Sequence, residues 1–109
     1  MSTADMQRQG AGWYYGATVA DGQTGPWVYV PQAFQYEPVV VVGNPSGGAS
    51  YRIEYTISPR SAIEADEAVP VPWTPGDKTT LDSQVIDARV IAVRLVNLGG
   101  DAVSWEALV

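Results

Sequence analysis

From Arg89 to Val109 the chain alternates apolar and polar residues with a period of two, and this period narrows the fold more than any other feature. In the run 89–97, Ile91, Val93 and Leu95 share one side of a pleated strand, while Val90, Ala92, Arg94 and Val96 share the other. Beyond Gly99, Gly100 and Asp101, residues Val103, Trp105 and Ala107 alternate with Ser104 and Glu106, the pattern of a strand with one dry and one wet face. Two such strands joined by a glycine turn predict an antiparallel hairpin. The run Tyr51–Ile57 repeats the pattern, with Tyr51, Ile53, Tyr55 and Ile57 on the core side and Arg52, Glu54 and Thr56 on the solvent side.

The rest of the chain supplies shorter pieces of the same kind. Trp27–Val30 has the β-branched and aromatic content of a strand and stops at Pro31. Pro38–Gly43 is a continuous apolar run that reads as a strand buried on both faces or packed under an N-terminal arm, closed by the turn cluster 43–48. Ser58 as N-cap and Pro59 at the first helical position predict one helical turn within 59–68, crossing between sheets. Pro70, Pro72 and Pro75 punctuate Val69, Val71 and Trp73, which marks an edge strand. Gly76-Asp77-Lys78 makes a turn, and 79–86 is a weak strand or loop that feeds the final hairpin. These spacings predict an all-β chain, an antiparallel β-sandwich of jelly-roll or immunoglobulin-like type with about six to eight short strands. Residues 1–25 contain Gly10, Gly12, Gly16, Gly22 and Gly25 and little sustained alternation, so they read as an extended N-terminal arm beside a sandwich domain at 26–109.

A length of 109 residues suits one hydrophobic core. The net charge of -6 and the scatter of the basic residues Arg8, Arg52, Arg60, Lys78, Arg89 and Arg94 disfavour nucleic acid, which requires clustered cations to displace counterions. Without cysteine the fold depends on apolar packing, and without histidine the commonest acid–base group near neutral pH and the commonest zinc ligand are missing. No cofactor is expected. The opening Met1-Ser2-Thr3-Ala4-Asp5 lacks the basic and apolar segments of a secretion signal, and the longest apolar run, Val39–Val42, is too short to span a bilayer, so a membrane partner is not expected either.

Candidate sites are few. Glu54, Glu64, Asp66, Glu67 and Glu106 would make an acid–base pair only if two of them flanked a cleft, and their positions in strand alternation or in a polar turn read as solvated surface. Asp21-Gly22 and the run 77–82 lack the ordered ligand series of a calcium loop. The glycine clusters at 43–48 and 99–100 precede strands and carry no Lys-Ser/Thr, so they are turns and not phosphate cradles. The aromatic residues Trp13, Tyr14, Tyr15, Trp27, Tyr29, Phe34 and Tyr36 crowd into one region. Trp27, Tyr29, Phe34 and Tyr36 read first as core residues and otherwise as exposed rings for stacking or an interface, whereas Trp13, Tyr14 and Tyr15, flanked by glycines, are expected to dock on the domain or on a partner. The expected protein interface is Trp13, Tyr14, Tyr15, Trp27 and Tyr36 together with the apolar end Leu108-Val109.

The stretch from Ser50 to Val109 resembles small β-sandwich virion proteins of tailed bacteriophages, most closely head decoration or cement proteins. The resemblance rests on the strand Ser50–Thr56, the Pro/Ala/Glu crossover, Trp73 and Gly76, the strand Ala92-Val93-Arg94-Leu95, and the Gly-Gly link into Val103-Ser104-Trp105. It implies a protein without an active site, made in the host cytoplasm, that binds the major capsid protein on the outside of the virion. It further implies a homotrimer that reinforces the shell. The alternative from another class is a carbohydrate-binding or host-attachment module of a tail or fibre, with Trp13, Tyr15, Trp27 or Tyr36 as stacking platforms.

Overall fold

The computed structural model describes residues 2–73 and 77–109, which form two five-stranded β-sheets packed face to face. In chain order the strands are β1 (Thr3–Asp5), β2 (Gln7–Gln9), β3 (Gly12–Val19), β4 (Trp27–Tyr29), β5 (Val39–Pro45), β6 (Ser50–Thr56), β7 (Val71–Pro72), β8 (Asp82–Ile86), β9 (Ala92–Gly99) and β10 (Val103–Leu108). A short helix, α1 (Arg60–Glu64), lies between β6 and β7. The first sheet has the order β1-β4-β9-β6-β7 and the second the order β2-β3-β10-β5-β8. Every pairing of these strands is antiparallel except β1 with β4. Pro75 and Gly76, read from sequence as part of an edge strand and a turn, lie outside the described residues.

The core between the sheets is built from the alternating residues. Val39, Val41, Tyr51, Ile53, Val93, Leu95, Val103, Trp105 and Ala107 are all buried there. Yet β9 and β10 do not form the expected hairpin. β9 is held between β4 and β6, and β10 between β3 and β5, so the turn at 99–101 carries the chain across the core from one sheet to the other. Alternation states which residues face a core, and both sheets face the same one, so it cannot tell a hairpin from a crossing. The crossing needs glycine. Gly99 and Gly100 have φ of 112° and 114°, and a Cβ on Gly100 would lie 2.6 Å from the Gly48 carbonyl oxygen. Buried Asn97 holds the turn by donating to the carbonyls of Val19 (3.1 Å) and Asp101 (2.7 Å) and accepting from Gly99 N–H (2.9 Å).

The N-terminal segment is not an arm. β1 pairs with β4 in the first sheet, and one residue later β2 pairs with β3 in the second, with Met6 buried at the corner where the chain changes sheets. β3 then runs beside β10 over six residue pairs, Val19 with Val103 through Tyr14 with Leu108. The loop that follows is tied along β9 by Gly25 N–H to Leu95 O (2.8 Å) and Asn97 N–H to Gln23 O (2.9 Å). Residues 2–25 therefore share one core with the later described strands. Local sequence here is glycine-rich and weakly patterned, and the strand conformation is supplied by hydrogen bonds to distant partners.

The helix does not cross between the sheets, because it links β6 and β7, which are neighbours in the first sheet. Its Ile63 packs on the outer side of the first sheet against Trp27, Tyr29 and Ala92, making a second small core. Pro59 takes the N-cap position expected of Ser58, whose hydroxyl instead accepts from Val69 N–H at 3.0 Å. Glu54, expected in solvent, is buried on this same outer side. Arg94 reaches its Oε1 at 2.8 Å and Arg52 its Oε2 at 3.0 Å, and the Arg94 guanidinium lies over the Trp27 ring, 4.2 Å from its centroid. Ile57 lies beyond the end of β6 and is exposed.

Candidate protein-interaction face

Because α1 and the Arg94–Glu54–Arg52 cluster cover the outer side of the first sheet, the two sheets present unequal surfaces. The outer side of the second sheet carries no such cover among the described residues. Its strands alternate cleanly: Val103, Trp105 and Ala107 of β10 point into the core, and Ser104, Glu106 and Leu108 point out. The same alternation in β5 buries Val39 and Val41 and leaves Val40 and Val42 half-exposed. The expectation that this valine run is buried on both faces therefore fails, because no second layer packs on this side.

Register places the outward apolar residues in one row. Tyr14 of β3 lies beside Leu108 of β10, Leu108 beside Val40 of β5, and Val40 beside Val85 of β8. Leu108 and Val85 are 46% and 52% exposed, and Leu81, 65% exposed, flanks the row beside Val42. A row across four strands is a contiguous apolar patch, unlike the isolated surface leucines of any protein. The neighbouring outward residues are mostly uncharged. Gln7, Thr18, Ser104, Asn44 and Ser83 surround the row, and Glu106, between Gly16 and Val42, is the acidic residue among them.

Glu106 is itself engaged. Tyr14 Oη donates to Glu106 Oε1 at 2.9 Å, and the Tyr14 side chain folds across Gly16. The hydrogen bond to Glu106, then desolvation and the nearby negative charge, raise the Tyr14 phenol above its ordinary value of 10.0. A Cβ at position 16 would overlap the Tyr14 hydroxyl, so Gly16→Ala is expected to displace the ring. The phenol should then titrate closer to its ordinary value, which a pH titration followed by NMR will read. The sign follows from the raised folded pKa: the bond contributes stability below the unfolded value and loses it as pH rises through the folded one.

The other expected interface residues are dispersed. Trp13 and Tyr15 are half-buried against the main core, Tyr15 with its ring centroid 5.5 Å from that of Trp105. Trp13 also exchanges both backbone hydrogen bonds with Val109, at 2.9 and 3.0 Å, so Val109 continues the pairing of β10 with β3. Trp27 is 1% exposed and belongs to the second core. Tyr36 is 77% exposed in the loop after a single 3-10 turn, Gln32–Phe34, where Arg89 stacks on its ring at 4.8 Å. Thus Tyr14 and Leu108 meet in one row, whereas Val40 and Val85 join it without having been singled out from sequence.

The acidic residues are separated. Glu54 bonds to arginines, Glu106 to Tyr14, Lys78 to Asp82 at 3.0 Å, and Asp21 accepts from Gly100 N–H at 3.0 Å. Among the described residues no three acidic side chains gather as a metal site, and no helix is long and apolar enough to cross a membrane. No protein-family model matches the chain, and a search of curated proteins finds no match.

Proposed function

We propose that this protein is a non-enzymatic structural protein of a tailed-phage virion, a head decoration protein that binds the major capsid protein on the outer capsid surface. The observation that carries the reading is the uncovered row Tyr14, Leu108, Val40 and Val85 on the second sheet. A face with few charged residues suits docking on a repeated protein lattice, because few charges must be desolvated. The resemblance of residues 50–109 to cement proteins supports the kind of partner.

The size of the face supports a grouped assembly. Five strands about 4.8 Å apart and roughly six residues long span only about 480 Å², against the ~800 Å² per partner of a stable interface. One copy held through this face alone binds weakly. Three copies joined as a homotrimer multiply the contact through effective concentration, so a trimer is the assembly proposed, on the virion and with neither nucleic acid nor membrane as partner.

The test is co-sedimentation with tailed-phage capsids stripped of their own decoration protein, alongside solution mass. Wild-type protein is expected to be a trimer and to co-sediment. The Val85→Glu/Leu108→Glu variant is expected to bind roughly 30-fold more weakly, since two anchors of about 1 kcal/mol each are lost. Its unfolding midpoint should change little, as both positions are surface-exposed. A monomer that ignores capsids, or a double variant that binds as well as wild type, overturns the proposal.

A further inference from the structure

We propose that a cleft between the end of β1, the start of β3, the end of β4 and α1 binds a neutral pyranose sugar. The cleft has a volume of about 420 Å³, and its walls include Asp5, Trp13, Tyr29, Gln32, Gln35 and Arg60. This lies at the small end of the roughly 300–1,000 Å³ typical of small-molecule sites. Its composition pairs an indole with a carboxylate, two amides and a guanidinium. A pyranose presents the complement, an apolar C–H face for an aromatic wall and a rim of hydroxyls that both donate and accept.

Two details select a neutral ligand with hydroxyls. First, Arg60 is already matched in charge: it stacks on the Tyr29 ring at 3.8 Å and lies 3.4 Å from Asp5 and 3.7 Å from Glu64, so it offers N–H donors without a free positive charge. Second, the cleft offers a hydroxyl both kinds of partner: the Asp5 carboxylate and the Gln32 amide oxygen accept, and the Gln32 amide nitrogen and Arg60 donate. Gln35 Nε2 donates to Val30 O at 3.3 Å, which fixes that amide and leaves its oxygen to accept.

The cleft and the apolar row share no residue, so the inference does not rest on the capsid reading. The experiment is an NMR titration of the 15N-labelled full chain with the methyl glycosides of glucose, galactose and N-acetylglucosamine, and with inorganic phosphate as a separate arm. It follows the indole N–H signals of Trp13, Trp27, Trp73 and Trp105, with Trp13 assigned by Trp13→Phe. The Trp13 signal is expected to shift saturably with at least one glycoside and not with phosphate. Gln32→Ala and Asp5→Asn should each weaken that binding by about fivefold or more, while the Trp27 and Trp105 signals stay at their wild-type positions and report an intact core. No saturable shift with any glycoside, a response to phosphate in place of sugar, or unchanged affinity in both variants overturns the proposal.

Discussion

A chain lacking residues 1–25 is expected not to fold, showing no cooperative thermal transition where the full chain shows one. The deletion removes β1, β2 and β3, and with them the partner of β10 across six residue pairs and a neighbour of β4. Met6 and Val19 leave the main core, and so do the half-buried Trp13 and Tyr15. Burying one large apolar side chain is worth roughly 1.5–3 kcal/mol, and a whole domain is stable by about 5–15 kcal/mol, so the loss is comparable to the total. β10, now a bare edge at the centre of the molecule, would in addition invite aggregation. Circular dichroism and a thermal melt decide the matter: a truncated chain that melts cooperatively near the wild-type midpoint would mean that the segment is an arm after all.

Glu54→Ala is expected to destabilise the protein by about 3–5 kcal/mol, the loss typical of removing one partner from a buried ion pair. The Glu54 side chain is 6% exposed and that of Arg94 19%, so deleting the carboxylate strands a guanidinium that has little water to turn to. Arg52, one-third exposed and also 3.9 Å from Asp77, can relax into solvent and loses less. The comparison that isolates the charge effect is Glu54→Leu/Arg94→Met, which removes both charges and keeps apolar volume beside Trp27. It should recover most of the loss, because the desolvation cost disappears with the pair. Urea unfolding at unchanged slope measures both. A cost below about 1 kcal/mol for Glu54→Ala would place the pair in the class of screened surface bridges.

The interaction face shows how far the residues alone can be read. Tyr14 and Leu108 stood out as an aromatic beside glycine and an apolar residue at the end of an alternating strand. Val40 and Val85 did not, although a clue was present: in Val39–Val42 every second valine must face away from the core, whatever that core is. The run looked buried throughout because nothing in it states that the second sheet lacks an outer layer. Trp27 stood both among the expected core residues and among the interface candidates, and only its surroundings decide between the two. Its burial depends on α1 and Arg94, which reach it from 33 and more residues away in sequence.

Local chemistry alone settled that the molecule is built of short strands, where β5, β6, β9 and β10 run, that the proline-punctuated β7 lies at an edge, and that a brief helix follows Ser58. These depend on side-chain period and φ restriction, both of which act within a few residues. Long-range contacts decided that β9 and β10 part into different sheets, that residues 3–19 are strands, and that Glu54 is inside. Pairing depends on which backbone edges remain free once the other strands have taken their places. Burial depends on what covers each face, and neither quantity is a property of the segment itself.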